Sequence, residues 1–330
     1  MMKAIWFDKF GPAAEVLQYG DLPMPSPGHG DVLVEMACSA PNPSDVKKRA
    51  GSFPELFADG PVIPHSDGAG TIVEVGPGVS AARIGERVWV YQAQFQRQHG
   101  TAAQFISVPS ERAVWLPDAA DFASGACMGI PAMTAHRCVF ADGEVEGQNI
   151  LVTGGAGRVG YYAIQWARLA GAQVIATASD DVSREDCMRA GADAVVNHRD
   201  ADFVEQVRDL MPGGLVDRVV EVDFGKNLAR NLELLAVSGT ISTYASASVT
   251  EPTLPFFQMM YQDITLRFVI VYDMPEQAKD EAIEDITECL ERGHLLHRVA
   301  HRLPLAETAA AHELIEKGGF RGCVVVDCDG

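Results

Sequence analysis

The stretch LVTGGAGRVGYYAIQWARLAGAQVIATAS, residues 151–179, holds four glycines within seven residues, between two apolar runs. An ordered glycine costs backbone entropy, so a cluster of this kind answers a geometric demand. Gly155, Gly157 and Gly160 fit the spacing G-x-G-x-x-G. A buried strand is predicted just before them, and a helix is predicted to begin near Gly157. In this strand–turn–helix context the pattern predicts a loop that binds the phosphates of a dinucleotide.

Each glycine of such a loop has a separate task. The first permits a tight turn, the second lets the backbone approach a pyrophosphate, and the third lets the helix lie close to the sheet. The helix N-terminus adds unpaired amides and a partial positive charge, which suit a phosphate. Gly160, Ala163 and Ala167 share one face of this helix and favour close packing on the sheet. The alternative is a turn that needs glycine for its geometry alone.

The rest of the chain divides into two kinds of pattern. Residues 1–120 hold short β-branched and aromatic runs separated by Gly and Pro clusters, which predicts a mostly antiparallel domain. From Asn149 onward, apolar strands alternate with helical stretches, which predicts a parallel sheet covered by helices. The sixth strand of that series is predicted in ITLRFVIVY. A last strand, in RGCVVVD, is predicted to return to the first domain.

Composition excludes several classes of protein. The 330 residues predict two domains, and the formal net charge of −19 argues against binding to a nucleic-acid backbone. The run Lys47–Arg49 is the one short basic stretch, read either as a solvated face or as a small functional patch. No apolar run is long enough to span a bilayer, and the N-terminus lacks the apolar core of a secretory signal. The seven dispersed cysteines fit a reducing compartment, so we expect a cytoplasmic protein without a membrane partner.

The residues after the second strand of the parallel sheet bear on cofactor choice. A site that prefers NADH usually has an acidic residue there, which binds the ribose 2′-hydroxyl. Ala178 and Ser179 stand there instead and leave room for a 2′-phosphate, although Asp180 and Asp181 follow at once. Candidate phosphate partners are Arg184 and Arg199. The sequence therefore favours NADPH over NADH.

Four further stretches carry a family resemblance: ACSAPNPSDVKKRAG, PVIPHSDGAGTIVEVGPGVS, GACMGIPAMTAHRCVF and AGADAVVNHRDADF. Together with the glycine loop, their order resembles the zinc-independent medium-chain dehydrogenases/reductases, and within them the zeta-crystallin-like quinone oxidoreductases. The resemblance implies an α/β fold. A GroES-like β-rich catalytic domain would cover 1–121 and be completed by 273–330. A Rossmann domain with a doubly wound parallel sheet would bind NADPH at 122–272, with the active site in the cleft between the domains.

The resemblance also implies site residues. Near the nicotinamide and substrate it implies Asn42 and Thr134, and it draws attention to Lys47, which stands where many relatives have tyrosine. Arg158 stands where glycine is common and would either contact the pyrophosphate or extend into water. Arg184 is included as a candidate partner of the 2′-phosphate. The predicted cofactor-binding residues are then Gly155, Ala156, Gly157, Arg158, Val159, Gly160, Ser179, Arg184, His198, Asn227, Tyr244, Ala245, Ser246, Ala247, Phe268, Val269 and Ile270.

No zinc is expected. The positions that match the catalytic zinc ligands of alcohol dehydrogenases are Asn42, Ser66 and Met128, which do not form a zinc site. A shifted set of Cys38, His65 and Cys127 remains an open alternative. Without a Lewis acid, nothing lowers the pKa of an alcohol, so oxidation of a plain alcohol is disfavoured.

The resulting expectation is a metal-free transfer of hydride from NADPH to a quinone or an enone. Asn42 and Thr134 would donate hydrogen bonds to the developing oxyanion or to the nicotinamide ribose, and solvent would supply the proton. His65, Asp67 and His99 are interpreted as structural or as rim residues. The alternatives are an enal or enoyl-thioester reductase and a non-catalytic NADPH-binding protein, either structural or RNA-binding. The apolar last strand, ITLRFVIVYDMP, predicts a homodimer or a tetramer.

Overall fold

A computed structural model describes residues 1–328. The chain forms two compact units, one made of Met1–Ile130 with the chain from Ile283 onward, and the other of Pro131–Ala282. The strands are β1 Met2–Trp6, β2 Gln18–Leu22, β3 Asp31–Ala40, β4 Asp67–Val75, β5 Arg87–Val90, β6 Phe105–Pro109, β7 Ala113–Trp115, β8 Asn149–Val152, β9 Gln173–Thr177, β10 Ala194–Val196, β11 Val216–Glu221, β12 Leu235–Thr243, β13 Thr265–Phe268, β14 Val299–Pro304 and β15 Cys323–Asp327.

The α-helices are α1 Ala13–Val16, α2 Pro43–Arg49, α3 Phe122–Gly125, α4 Gly129–Phe140, α5 Arg158–Leu169, α6 Asp181–Arg189, α7 Phe203–Leu210, α8 Phe224–Leu234, α9 Phe256–Tyr261, α10 Glu276–Arg292 and α11 Thr308–Lys317. Among residues 1–328, no helix combines the length and apolar character that crossing a bilayer requires.

The first unit is built on a sheet with the strand order β14-β15-β3-β4-β5-β7, in which β6 also pairs with β3. All of these pairings are antiparallel except that of β14 with β15. Buried side chains from β3, β4, β5, β6 and β15 form one apolar core. Strand β15 pairs with β3 across almost the whole length of the sequence, as the last apolar run predicted.

The second unit holds a six-stranded, wholly parallel sheet in the order β10-β9-β8-β11-β12-β13. This is the doubly wound arrangement, in which the order of successive strands reverses between β8 and β11, and ligands bind in the crevice at that switch point. The predicted α/β fold is therefore confirmed. The domain boundaries 1–121, 122–272 and 273–330 stay a prediction.

The structure differs from the sequence expectations in two details. Strand β13 ends at Phe268, and the apolar residues after it lead into a 3₁₀ turn at Val271–Asp273 instead of extending the strand. Strands β2 and β14 were not predicted, because their residues are mostly exposed or polar, and β7 was not predicted because it has only three residues, too few for an alternating pattern.

Candidate active site

The glycine loop joins β8 to α5 beside the reversal point of the parallel sheet. Gly157 is the N-cap of α5 and no side chain caps that end of the helix. The Tyr161 amide closes the first helical bond on the Gly157 carbonyl at 2.9 Å. Amides of the first helical turn, such as those of Val159 and Gly160, have no intrahelical acceptor. Gly157 is itself exposed, so this helix end is accessible to an anion.

The tasks of the glycines are distributed differently from the expectation. The tight turn falls on Gly154, with φ of +62°, and not on Gly155. A Cβ on Gly155 would lie 2.8 Å from Ala176 Cβ, so this glycine is required by packing against β9. A Cβ on Gly160 would lie 2.4 Å from the Gly154 carbonyl oxygen, which confirms the close helix contact predicted for the third glycine.

In the segment after β9, the first acidic side chain is held by hydrogen bonds at the start of α6. Ser179 is half-buried, and Asp180 follows it. The Asp180 carboxylate is the N-cap of α6, where it accepts hydrogen bonds from the Ser183 amide at 2.9 Å and the Ser183 hydroxyl at 2.7 Å. Arg184 lies exposed in the first turns of the same helix.

A cavity of about 160 Å³ opens at the carboxyl ends of β8, β9 and β11. Of the predicted site residues, His198 and Asn227 line it together. Two cations that the sequence reasoning missed, Lys226 and Arg230, also line it, and the Arg230 guanidinium donates to the His198 carbonyl at 2.7 Å. Burial, followed by nearby Arg199, lowers the pKa of His198. The lining as a whole is Thr153, Gly154, Thr177, His198, Phe203, Val222, Asp223, Lys226, Asn227, Arg230 and Asn231.

Buried Glu221, at the end of β11, organises one wall of this cavity. Its carboxylate accepts from Asn227 Nδ2 at 2.8 Å and from Asn231 Nδ2 at 2.7 Å. The side chain of Asn227, a predicted cofactor-binding residue, is therefore held in position by Glu221. This carboxylate had no sequence signal beyond its place at the end of an apolar strand.

The remaining predicted cofactor residues of the second unit follow the ends of β12 and β13. The Ala245 carbonyl accepts from the Phe224 amide, and Ser246 Oγ accepts from the Gly225 amide at 2.9 Å, so this loop is fixed to the start of α8. Burial raises the pKa of Tyr244. Val269 is buried, whereas Phe268 and Ile270 are exposed and Ala247 lies on the surface. Thr134 is buried on α4.

In the first unit, Asn42 is the N-cap of α2 and is tied to β4. Asn42 Nδ2 donates to Asp67 Oδ2 at 2.8 Å and to the Ala40 carbonyl at 3.4 Å, while the Asn42 amide donates to Asp45 Oδ2 at 2.8 Å. Both hydrogens of the Asn42 side-chain amide therefore already have acceptors, and the longer of the two hydrogen bonds is the one to the Ala40 carbonyl at 3.4 Å. Burial raises the pKa of Asp67 well above its ordinary value, and the Ile130 amide also donates to it.

The basic run Lys47–Arg49 is not a solvated face. Lys47 is exposed, but Lys48 and Arg49 are buried. Arg49 forms an ion pair with Glu316 of α11 and donates to the Gly11 carbonyl. Two of the three charges thus stabilise the interior of the first unit, which leaves no basic surface patch at this run.

His65 lies at the centre of a buried polar chain. Its Nδ1 is 2.7 Å from Ser39 Oγ, and its Nε2 is 2.9 Å from Nε2 of His312 on α11. His65 has a φ of +76°, which is uncommon outside glycine, and these contacts hold it there. The structural role expected for His65 agrees with this network. His99, by contrast, is only half-buried.

The residues of the first unit that were considered as zinc ligands do not form a donor set. Asn42 already donates to Asp67, and neither Ser66 nor Met128 is a customary zinc ligand. The shifted alternative also fails, because both His65 ring nitrogens have protein partners and Cys127 Sγ donates to the Ala123 carbonyl at 3.2 Å. Across residues 1–328, no three His, Cys, Asp or Glu side chains are grouped to hold a metal.

Two protein-family models match the chain. The alcohol dehydrogenase GroES-like domain matches residues 28–118, and the zinc-binding dehydrogenase domain matches residues 159–288. Among curated proteins, the chain is 28% identical to the quinone oxidoreductase of Rattus norvegicus, over 99% of this chain and 98% of that one. It is 29% identical to a 2-haloacrylate reductase of a Burkholderia species, with the same coverage of both.

Solved structures give the same family. A crystal structure of an NAD-dependent alcohol dehydrogenase has a TM-score of 0.89 at 28% identity and covers 99% of both chains. A mycobacterial protein complexed with NADPH has a TM-score of 0.86 at 28% identity, covering 99% of this chain and all of the other. The chain therefore carries the two domains of the medium-chain dehydrogenases/reductases, is similar over its full length to quinone oxidoreductases, and is a quinone-oxidoreductase-like enzyme.

Proposed function

We propose that the chain is an NADPH-dependent reductase of quinones or other conjugated carbonyl compounds and that it needs no metal. The observation that carries the proposal is the exposed, uncapped N-terminus of α5 behind Gly157, at the reversal point of the parallel sheet. A helix end of this kind favours a pyrophosphate, because its free amides and its dipole both attract negative charge. When bound there, a reduced nicotinamide supplies a hydride.

The preference for NADPH is supported by the charges around the nucleotide end of the site. Lys226 and Arg230 line one cavity, and Arg184 is exposed on α6. Asp180, after β9, is engaged as a helix cap, and Asp223, which lines the cavity, accepts a hydrogen bond from the Ser248 amide. Of the similar structures, one is described with NADPH and another as NAD-dependent, so the relatives alone do not choose between the cofactors.

The roles proposed for the chain's own residues are positioning and exclusion of water. Asn42, oriented by Asp67, and buried Thr134 are proposed to donate to the oxygen on which charge develops. Lys47 is exposed and is proposed to act at the substrate or the cofactor from the surface of α2. The donor set around Asn42 does not suit zinc, so the proposed reaction uses acceptors that are already activated by conjugation.

Reduction of an enal or enoyl-thioester is the second candidate within the same chemistry. It is favoured by the similarity to a 2-haloacrylate reductase, whose name denotes a conjugated acid as substrate. A non-catalytic NADPH-binding protein, structural or RNA-binding, is the alternative of another class. The net charge of −19 and the buried Lys48 and Arg49 both weigh against the RNA-binding form.

A homodimer, with a tetramer as the alternative, is proposed from the free edge of the parallel sheet. Strand β13 is the last in the strand order. Beside it in sequence, α9 exposes Phe256 at 67%, Phe257 at 66% and Tyr261 at 76% of their surface. An open strand edge next to exposed aromatic side chains is a common basis for self-association.

The experiment is a panel of acceptors with the purified protein. Oxidation of NADPH and of NADH is followed with quinones, enals, enoyl-thioesters and, in the reverse direction, simple alcohols. The proposal expects NADPH oxidation with quinones or enones and none with alcohols. Activity confined to enoyl-thioesters favours the second candidate, and cofactor binding without turnover favours the non-catalytic one.

A further inference from the structure

One face of α8 brings two basic side chains to the cavity at the carboxyl ends of β8, β9 and β11. Lys226 and Arg230 are four residues apart, so they are neighbours on the helix surface, and both line that cavity. Like charges at this spacing slightly destabilise a helix. In a chain with a net charge of −19, such a pair beside a cavity favours an anionic ligand.

Both cations keep hydrogen-bond donors that are not used within residues 1–328. Arg230 Nη1 donates to the His198 carbonyl at 2.7 Å, and the guanidinium carbon lies 5.7 Å from the centre of the Phe203 ring. These two contacts orient the guanidinium and leave its other N–H groups for a ligand. The side chain of Lys226 has no hydrogen-bond or ion-pair partner in the described part of the chain.

The acidic groups near the cavity are already engaged by the protein. Asp223 lines the cavity, and its carboxylate accepts from the Ser248 amide at 3.0 Å and from the Ser248 hydroxyl. Both carboxylate oxygens of Glu221 accept from asparagine side chains of α8. Burial lowers the pKa of His198, so its ring is mostly neutral at pH 7. The positive charge at the cavity therefore comes from the two cations of α8.

The position of the cavity in the sheet indicates which anion it takes. Thr177, the last residue of β9, lines the cavity, and Thr177 Oγ1 accepts from the Gly154 amide of the glycine loop at 2.9 Å. In a dinucleotide-binding sheet, the end of this second strand is where the 2′ position of the adenosine ribose is contacted. The pyrophosphate is proposed to bind elsewhere, at the N-terminus of α5. An anionic group in the cavity therefore corresponds to a 2′-phosphate.

The residues that the sequence favoured as phosphate partners do not reach this cavity. Neither Arg184 nor Arg199 belongs to its lining, and no residue between 178 and 184 does. The segment after β9 also carries the negative charges of Asp180 and Asp181. Recognition of a phosphate is thus better served by α8 than by α6.

From these contacts, resting on the proposed function, we infer that Lys226 and Arg230 bind the 2′-phosphate and set the preference for NADPH over NADH. A phosphate monoester carries nearly two negative charges at neutral pH, which two cationic donors match. NADH has a hydroxyl group at the same position and gains much less from these cations. The two residues determine specificity and take no part in hydride transfer.

The test measures Kd by calorimetry for NADPH, NADH, adenosine 2′,5′-bisphosphate and 5′-AMP. The last two compounds differ only by the 2′-phosphate and leave out the nicotinamide. In Lys226→Met we expect NADPH and the bisphosphate to bind about 10-fold to 100-fold more weakly, as for loss of one hydrogen bond to a charged group. NADH and 5′-AMP should keep the affinity that they have for the wild type.

Three further variants sharpen the comparison on α8. Arg230→Met should show the same selective loss as Lys226→Met, whereas Arg230→Lys, which keeps the charge, should retain most of the preference. Lys226→Glu should reverse the preference, because an acid repels the phosphate and accepts from the ribose hydroxyl of NADH. All of these variants should keep the wild-type Tm, since both side chains are exposed.

Two charge removals on α6 serve as matched controls. Arg184→Met removes the other candidate partner of the 2′-phosphate, and Arg189→Met removes an exposed charge at the end of the helix. Neither residue lines the cavity, so both variants should keep the wild-type preference for NADPH. A selective loss of NADPH affinity in Arg184→Met would assign the phosphate to α6 and overturn the inference.

The remaining outcomes separate this inference from the proposed function. If the wild type oxidises NADPH with a quinone or enone while Lys226→Met and Arg230→Met weaken both cofactors equally, or neither, the role given to α8 is wrong and the proposed function stands. A wild type that reduces quinones but binds NADH as tightly as NADPH also overturns the role. If the wild type binds neither cofactor, the proposed function fails, and this inference fails with it.

Discussion

Asn42 and Asp67 are joined by a hydrogen bond of 2.8 Å between Nδ2 and Oδ2, and both side chains are almost wholly buried. The same carboxylate oxygen accepts from the Ile130 amide, also at 2.8 Å. The residue proposed to orient the substrate is therefore oriented by the protein and not by solvent. This arrangement meets the requirement that a catalytic donor be fixed before charge develops.

Replacing Asn42 by Ala should lower kcat by about tenfold to 100-fold while the protein stays folded. The loss of one buried hydrogen-bond donor should cost about 1–3 kcal/mol of the free energy of unfolding. Turnover and urea denaturation measure the two effects.

Asn42→Asp is the sharper comparison, because it sets two carboxylates side by side. It should be less stable than Asn42→Ala at pH 7.5 and regain stability as the pH falls. Equal pH dependence of the two variants would contradict the direct contact.

Gly157→Val should abolish NADPH binding without unfolding the protein, because Gly157 is exposed and a side chain there blocks the approach to the α5 amides. Gly160→Ala should instead lower Tm, since its Cβ would lie 2.4 Å from the Gly154 carbonyl oxygen. Gly28→Ala is the matched control, with its nearest neighbour at 3.6 Å. Fluorescence titration and thermal unfolding check all three. Unchanged NADPH affinity in Gly157→Val would show that the glycine loop does not bind the cofactor.

The pH dependence of stability tests the buried pair His65 and His312. Burial lowers the pKa of His312 to about 3 and that of His65 well below its ordinary value. The unfolded chain binds protons near pH 6.5 and the folded chain does not, so the stability from neutral rings is lost as the pH falls below 6.5. Asp67, whose pKa is raised, acts with the opposite sign, so the informative quantity is a difference between variants.

Between pH 7.5 and pH 5.5, the wild type should therefore lose about 1.4 kcal/mol more than His312→Gln. Urea denaturation at both pH values measures this difference. His294→Gln, in an exposed turn, is the control and should follow the wild type. A His312→Gln variant with the same pH dependence as the wild type would show that His312 titrates normally.

The apolar surface of α9 predicts the effect of a charge at the proposed dimer contact. Phe257→Asp and Tyr261→Asp should convert a dimer into a monomer with little change in Tm, because both side chains are exposed within one chain. Light scattering coupled to gel filtration measures the mass. Val237→Asp, at another exposed position, is the control. A wild-type monomer at micromolar concentration would contradict the proposed assembly.

Local signals explain what the sequence predicted well. The strand–glycine–helix segment and the apolar strands that alternate with helical stretches are patterns among residues close together in the sequence. These local patterns were therefore enough to predict the doubly wound sheet. The same patterns predicted too long a strand at β13, because an apolar run alone does not show whether its residues pair with a neighbouring strand or form a turn. They also assigned the tight turn to Gly155, since sequence spacing does not separate a positive φ at Gly154 from crowding at Gly155.

Tertiary contacts account for what the sequence did not predict. His65 and His312 lie 247 residues apart in the chain, and Arg49 meets Glu316 over a similar separation. Lys47 and Lys48 are chemically the same, and only the packing of α2 makes one exposed and the other buried. The cavity cations Lys226 and Arg230 occupy ordinary helix positions and carry no motif of their own.

The most direct measurement is calorimetric titration of the purified protein with NADPH and with NADH. We expect NADPH to bind with a micromolar or tighter Kd, NADH to bind more weakly, and both to lose their binding in Gly157→Val. No heat of binding with either nucleotide, from a protein shown to be folded, would contradict it.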